Sequence, residues 1–128
     1  MVSEYKDRQT ASTADVIARF NTAFNQHDVP AMMDLMTADC VFENTSPSPD
    51  GTRYEGQTAV RAFWEDFFRT SPHAAFQGED TIICGDRCVV RWLYTWIDDK
   101  GQQGHVRGVD VFRVRDGKVA EKLAYVKG

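Results

Sequence analysis

Near residue 72 the hydrophobic period of this chain changes, and few architectures accommodate such a change. Upstream, "STADVIARFNTAFNQHD" carries Val16, Ile17, Phe20, Ala23 and Phe24 at helical spacing, with Ser12 and Asp15 as a capping-box-like start. Asp28 can cap a second, shorter helix through "VPAMMDLMTA", whose Pro30 is tolerated in the first turn. "CVFEN" reads as a short strand and "TSPSPDGTRYEG" as a loop. A third helix is predicted in "QTAVRAFWEDFFRT", with Val60, Phe63, Trp64, Phe67 and Phe68 on one broad apolar face and Pro72 after its end. Downstream the period becomes two. "AAFQGEDTIIC", "CVVRWLYTWI", "HVRGVDVFRV" and "KVAEKLAYVK" are strand-like, separated by the turns "GDR", "DDKGQQG" and "RDG". Helices followed by strands predict an α+β domain, with three helices packed on a strongly curved antiparallel sheet that encloses a pocket.

Composition bounds the rest. A chain of 128 residues, 42% hydrophobic and 27% charged, suits one domain, expected over residues 12–128 behind a flexible tail at 1–11. The net charge is −4 and the basic residues are scattered, which argues against nucleic acid or an anionic membrane as partner. No apolar run approaches the roughly 18 residues of a membrane span, and the first residues lack a signal-like apolar stretch, so a cytoplasmic location is expected. Cys40, Cys84 and Cys88 are an odd number without a C-x-x-C pair. Reduced, packed thiols are the expectation, with a Cys84–Cys88 bond across the "GDR" hairpin as the alternative. His27, His73 and His105 lie in no metal-ligand motif, and there is no phosphate loop or G-x-S-x-G elbow, so neither metal nor organic cofactor is expected.

The residue that raises a functional question is Asp110, set between two valines in "RGVDVFRVRDGKV". Alternation puts it on the face of Phe112 and Val114, in apolar company. That placement costs several kcal/mol unless the carboxyl is paired, hydrogen-bonded or protonated; the bland alternative is a solvated edge-strand aspartate. On the preceding strand Val90, Trp92, Tyr94 and Trp96 share a face, either as plain core or as a ligand platform. Phe20, Phe24, Met33, Phe63 and Phe67 would close a cavity from the helical side. The opposite face, with Val109, Val111, Leu123 and Tyr125, is apolar enough to predict a two-fold homodimer through the sheets.

The order of elements, together with "ARFNTAFNQHDVPAMMDLMTADCVFEN", "YEGQTAVRAFWEDFF" and "VRGVDVFRVRDGKVAEKLAYVKG", resembles the nuclear transport factor 2-like superfamily, and within it the SnoaL-like polyketide cyclase and ketosteroid isomerase branch. The resemblance runs from about Thr13 to Gly128 and implies a cone-shaped α+β barrel. It implies an apolar small-molecule ligand and, in the enzymes, isomerase or cyclase chemistry on a steroid- or polyketide-like carbonyl. Position by position, Asn44 stands where steroid isomerases have their general-base aspartate, Phe20 replaces the oxyanion tyrosine, and Met36 and Trp64 replace its supporting tyrosines. The acidic group on the third long strand is kept as Asp110, the position on which SnoaL-like cyclases chiefly rely. The related epoxide hydrolases resemble the chain at Asn44 and Arg91, but their paired aspartates fall at Leu93 and Ala124, and one carboxylate cannot both deprotonate a water and protonate an opening ring. Acid/base chemistry by Asp110 and non-catalytic ligand carriage are the two open readings, with epoxide hydrolysis and protein docking behind them.

Lys122 enters through the register of the last hairpin. A three-residue "RDG" turn with Gly117 in a left-handed bulge pairs Asp110 with Lys122 on one face; a two-residue "DG" turn pairs Asp110 with Leu123 and sends Lys122 to the other. The resemblance and the small Ala120 and Ala124 favour the first. The candidate reactive pair is therefore Asp110 and Lys122, lined by Phe20, Phe24, Asn44, Phe63, Trp64, Trp92, Tyr94 and Phe112.

Overall fold

The computed structural model describes residues 2–128, with side chains from residue 7 onward. Its elements run α1 (Val2–Asn25), α2 (Val29–Asp34), β1 (Met36–Glu43), β2 (Arg53–Glu55), α3 (Gln57–Thr70), β3 (Ala75–Cys84), β4 (Arg87–Ile97), β5 (Gln103–Arg115) and β6 (Lys118–Val126). The strands form one mixed sheet in the order β2-β1-β6-β5-β4-β3, which curls around the helices without closing.

α1 begins ten residues before the expected cap at Ser12, so residues 2–11, read from the sequence as a tail, are helical. The later part of this extension is tied down across the molecule. Thr10 Oγ1 accepts a hydrogen bond from the Gly85 N–H at 2.9 Å, and the Thr13 hydroxyl donates to the Gly85 carbonyl at 2.7 Å, fastening this turn of the helix to the β3–β4 hairpin. The expected apolar stripe is buried: Val16, Ile17, Phe20, Ala23 and Phe24 join the core with Met32, Met33, Met36 and Val60. α1 ends at Asn25, His27 in the turn that follows adopts a left-handed φ of 55°, and Asp28 caps α2 by accepting from the Ala31 N–H at 3.1 Å.

Three expectations about the first half need correction. α2 ends at Asp34 rather than continuing through Ala38, and β1 starts at Met36 rather than Cys40. Residues 53–55, read as loop, form the short edge strand β2 on β1. The sheet is antiparallel in four of its five pairings, but β1 runs parallel to β6. That pairing joins strands far apart in sequence, and nothing in the local pattern of either announces its direction. The four long strands and α3 lie where the sequence places them.

In the β3–β4 turn Ile83 pairs with Cys88 and Cys84 with Arg87, so the two thiols face opposite sides of the sheet, Cys88 buried and Cys84 exposed; all three cysteines are free. Burial pushes the Cys88 thiol up to about 11, keeping it protonated.

A glycine and tryptophan pattern shapes the pocket wall. Trp92 pairs with Gly108 and Trp96 with Gly104, and each indole lies across its glycine. A Cβ at Gly108 would stand 2.5 Å from the Trp92 ring and 2.2 Å from the Tyr125 carbonyl. Gly108→Ala should therefore overpack the wall and cost about 1–3 kcal/mol, read as a lowered urea midpoint with an unchanged m-value. An unchanged midpoint would mean that neither the Trp92 ring nor the Tyr125 backbone stands so close to Gly108.

Candidate functional site

The hairpin after β5 decides the polar chemistry. Asp116 and Gly117, with φ of 54° and 73°, make a two-residue turn that pairs Arg115 with Lys118, contrary to the three-residue turn favoured from the sequence. A bulge at Ala120 then shifts the ladder by one, so Arg113 pairs with Glu121, Phe112 with Lys122 and Asp110 with Ala124. Val119 and Ala120 are consecutive and both buried, as a bulge requires. The direct Asp110–Lys122 register pairing is thus not formed, yet the bulge returns Lys122 to the face of Asp110, one pair along. From there Lys122 Nζ reaches Asp110 Oδ2 at 3.2 Å.

Both groups are buried, Asp110 at 1% exposure and Lys122 at 5%. The ammonium is at contact distance but off the hydrogen-bond angle, and neither carboxylate oxygen has a well-aligned donor; the buried indole N–H groups of Trp64 and Trp92 also lack an acceptor. Such groups are costly in a folded interior and are concentrated here in one place. Desolvation pushes the Asp110 carboxyl above the ordinary aspartate range, and the Lys122 charge, with contacts from Lys122 and Trp92, pulls the other way without cancelling it. Lys122 is held from its flanks by rings, with Nζ 5.0 Å from the centroid of Phe42, 5.3 Å from Trp64 and 5.9 Å from Phe112.

The pair sits in the wall of a cavity of about 540 Å³ between the concave face of the sheet and α3. Of the residues expected from the sequence, Phe24, Asn44, Phe63, Trp64, Phe67, Trp92, Tyr94, Trp96, Asp110 and Lys122 line it. Phe20 and Phe112 do not. They meet edge to face at 6.0 Å and are fully buried, forming packing beneath the cavity rather than its surface. Met33, expected to close the cavity, is likewise core. Asn44 stands at the mouth, where its Oδ1 accepts from the backbone N–H groups of Thr52 (2.7 Å) and Ser46 (3.3 Å), so that oxygen holds the 45–52 loop instead of a ligand. Burial raises the Tyr94 phenol and keeps it a hydrogen-bond donor near neutral pH.

The lining that sequence reasoning missed is Phe42, Thr45, Ser46, Tyr54, Phe76, Val106 and Ala124. Phe42 and Tyr54 face each other across β1 and β2 and stack at 6.0 Å, a pair that becomes visible only once the edge strand and the parallel β1–β6 pairing are known. Phe76 could have been found by alternation, since it opposes Tyr94. Arg91, from the epoxide hydrolase comparison, is exposed on the strand face opposite Trp92 and does not line this cavity. Among the described residues no cluster of three or more histidines, cysteines and carboxylates could hold a metal.

A family model for the SnoaL-like domain matches residues 17–122. The chain belongs to the SnoaL-like family. This SnoaL-like chain is also similar to a nuclear transport factor 2-like protein of unknown function from Mesorhizobium loti, at 40% identity over 94% of each chain with a TM-score of 0.79. It shares its fold with a candidate polyketide cyclase from Xanthomonas campestris pv. campestris (20% identity, 93% of each chain, TM-score 0.74). TerC, crystallised with polyporic acid, has the same fold at 17% identity, over 91% of this chain and 92% of the other, with a TM-score of 0.78. Among curated proteins none matches the chain. No helix among the described residues is long and apolar enough to cross a membrane.

Proposed function

We propose that this SnoaL-like protein binds a largely apolar, planar or polycyclic small molecule carrying a carbonyl or phenol oxygen, and that Asp110 performs acid/base chemistry on it as an isomerase or cyclase. The observation that carries the reading is a buried carboxyl, raised by desolvation and without an aligned donor, in the wall of an aromatic cavity. A carboxyl in that state exchanges a proton with an enolisable carbonyl near neutral pH far more readily than one in water. Lys122, 3.2 Å away, can hold the ligand oxygen as negative charge develops there. A carrier is the second reading, supported by the mutual compensation of the two charges, which lets the pair persist as structure alone.

Thermal-shift screening should find stabilisation by aromatic ketones and steroid- or polyketide-like compounds. Stabilisation by nucleotides and by none of these would overturn the ligand class. For any compound that is turned over, Asp110→Asn should abolish turnover while leaving affinity within about tenfold, because the lost interaction belongs to the transition state. If every bound compound is released unchanged, the carrier reading stands.

The outer sheet face supports a homodimer as the remaining proposal. Ile82, Val89, Val111 and Leu123 form one row across it, and Ile82 and Tyr125 are 61% and 55% exposed.

A further inference from the structure

The lysine of the buried pair carries chemistry that holding a ligand oxygen does not use. Lys122 is the only buried lysine among the residues whose side chains are described; Lys100, Lys118 and Lys127 are exposed. Its Nζ faces an apolar cavity, is 3.2 Å from a carboxyl that can take a proton from it, and is kept from swinging away by the rings of Phe42, Trp64 and Phe112. An amine becomes a nucleophile toward carbonyls when it sits in an apolar site with a proton acceptor beside it and a proton donor for the departing oxygen. Asp110 meets both needs from one position.

We propose that Lys122 is a carbonyl-capturing amine, which condenses with an apolar aldehyde or ketone in the cavity to form an iminium, with Asp110 as proton shuttle. The inference rests on the reading that the cavity takes a carbonyl compound and deepens it by naming the covalent step. The ammonium passes a proton to the Asp110 carboxylate, leaving a neutral amine and a carboxylic acid, a pair that costs less in an apolar cavity than two ions. The nitrogen lone pair forms the C–N bond, the C=O π electrons move to oxygen, and Asp110 protonates that oxygen. The resulting nitrogen is cationic and gives its extra proton back to Asp110. The same proton then goes to the hydroxyl, which leaves as water while the nitrogen lone pair forms C=N. Counted from the ion pair, one ammonium and one carbonyl become one iminium and one water, and Asp110 ends as the carboxylate it began as. The rings around Nζ suit the product, itself a cation. The iminium makes the neighbouring C–H far more acidic than the ketone does, and the regenerated carboxylate stands beside it. Proton removal gives an enamine, which serves both double-bond migration and aldol-type ring closure.

The test uses the intact protein, 2-naphthaldehyde as probe and cyanoborohydride to trap the iminium as a stable amine, with peptide mapping by mass spectrometry. Trapping should be concentrated at Lys122, at least tenfold faster there than at Lys100, Lys118 or Lys127, and should be suppressed by 2-naphthalenemethanol, which fits the same cavity but has no carbonyl. Lys122→Met should remove the fast adduct and Asp110→Asn should slow it. Even labelling of all lysines, or no adduct at Lys122 while 2-naphthalenemethanol still raises the melting temperature, would overturn the covalent step and leave the ligand class intact. Failure of both probes to bind would overturn the ligand class and the covalent step with it. The wild-type map decides the matter even if a variant folds poorly.

Discussion

Replacing Lys122 with Met, or Asp110 with Leu, should each destabilise the protein by about 3–5 kcal/mol, while the double variant should come within about 1 kcal/mol of the parent or exceed it. Each single change leaves one buried charge without its partner in a wall otherwise built of rings, where Phe42, Trp64 and Phe112 surround the ammonium. The double change replaces both ions with apolar side chains of similar reach and removes the desolvation cost of each. Since small domains are stable by about 5–15 kcal/mol in all, the single variants should lose a large share of their urea midpoint. The double-mutant cycle isolates the coupling between the two groups. Additive effects would mean that the pair is not formed in solution.

The second large effect is a pH dependence with a defined sign. Desolvation raises the Asp110 pKa above its ordinary value of 3.8, so the folded state holds this proton more tightly than the unfolded chain does. Stability from this group is complete below pH 3.8 and is lost as pH rises towards the folded pKa. Lys122→Met removes the charge that opposes the rise and so widens that window. The variant's stability relative to wild type should fall with increasing pH by up to about 1.4 kcal/mol per unit within the window. Taking the difference between the two proteins cancels the remaining carboxylates, among them exposed Asp39, which Arg115 holds below the usual range and which acts in the opposite direction. Urea midpoints of both proteins from pH 4 to 8 would show it; a constant difference would place Asp110 in an ordinary, water-like setting.

How much of this was legible in the sequence depended on whether the deciding interaction was local. The change of period at Pro72 and the apolar face of α3 fixed the fold class and the bounds of that helix, because both follow from residues a few positions apart. The face of Lys122 was anticipated, but through the wrong ladder. Nothing in "RDGKVAEK" distinguishes a three-residue turn from a two-residue turn followed by a bulge at Ala120, and both put Lys122 on the same side. Phe20 and Phe112 read as pocket residues because periodicity, helical for the first and alternating for the second, gives the face of a residue and not its depth; both lie beneath the cavity. Phe42 and Tyr54 were out of reach because their place depends on β1 running beside β6, a contact between residues about eighty positions apart. The outward tethers of Thr10 and Thr13 to Gly85 are equally non-local, which is why the helix was expected to begin at Ser12.

The proposed function makes Asp110 a buried proton-transfer group facing the ligand. Its carboxyl carbon can be followed by NMR in protein labelled with 13C-aspartate, titrated alone and then saturated with 2-acetylnaphthalene, with Asp110→Asn identifying the resonance. A midpoint above 3.8 is expected in the free protein, with a further displacement of that midpoint when the ketone is bound. A midpoint at or below 3.8 that is the same with and without the ketone would contradict it.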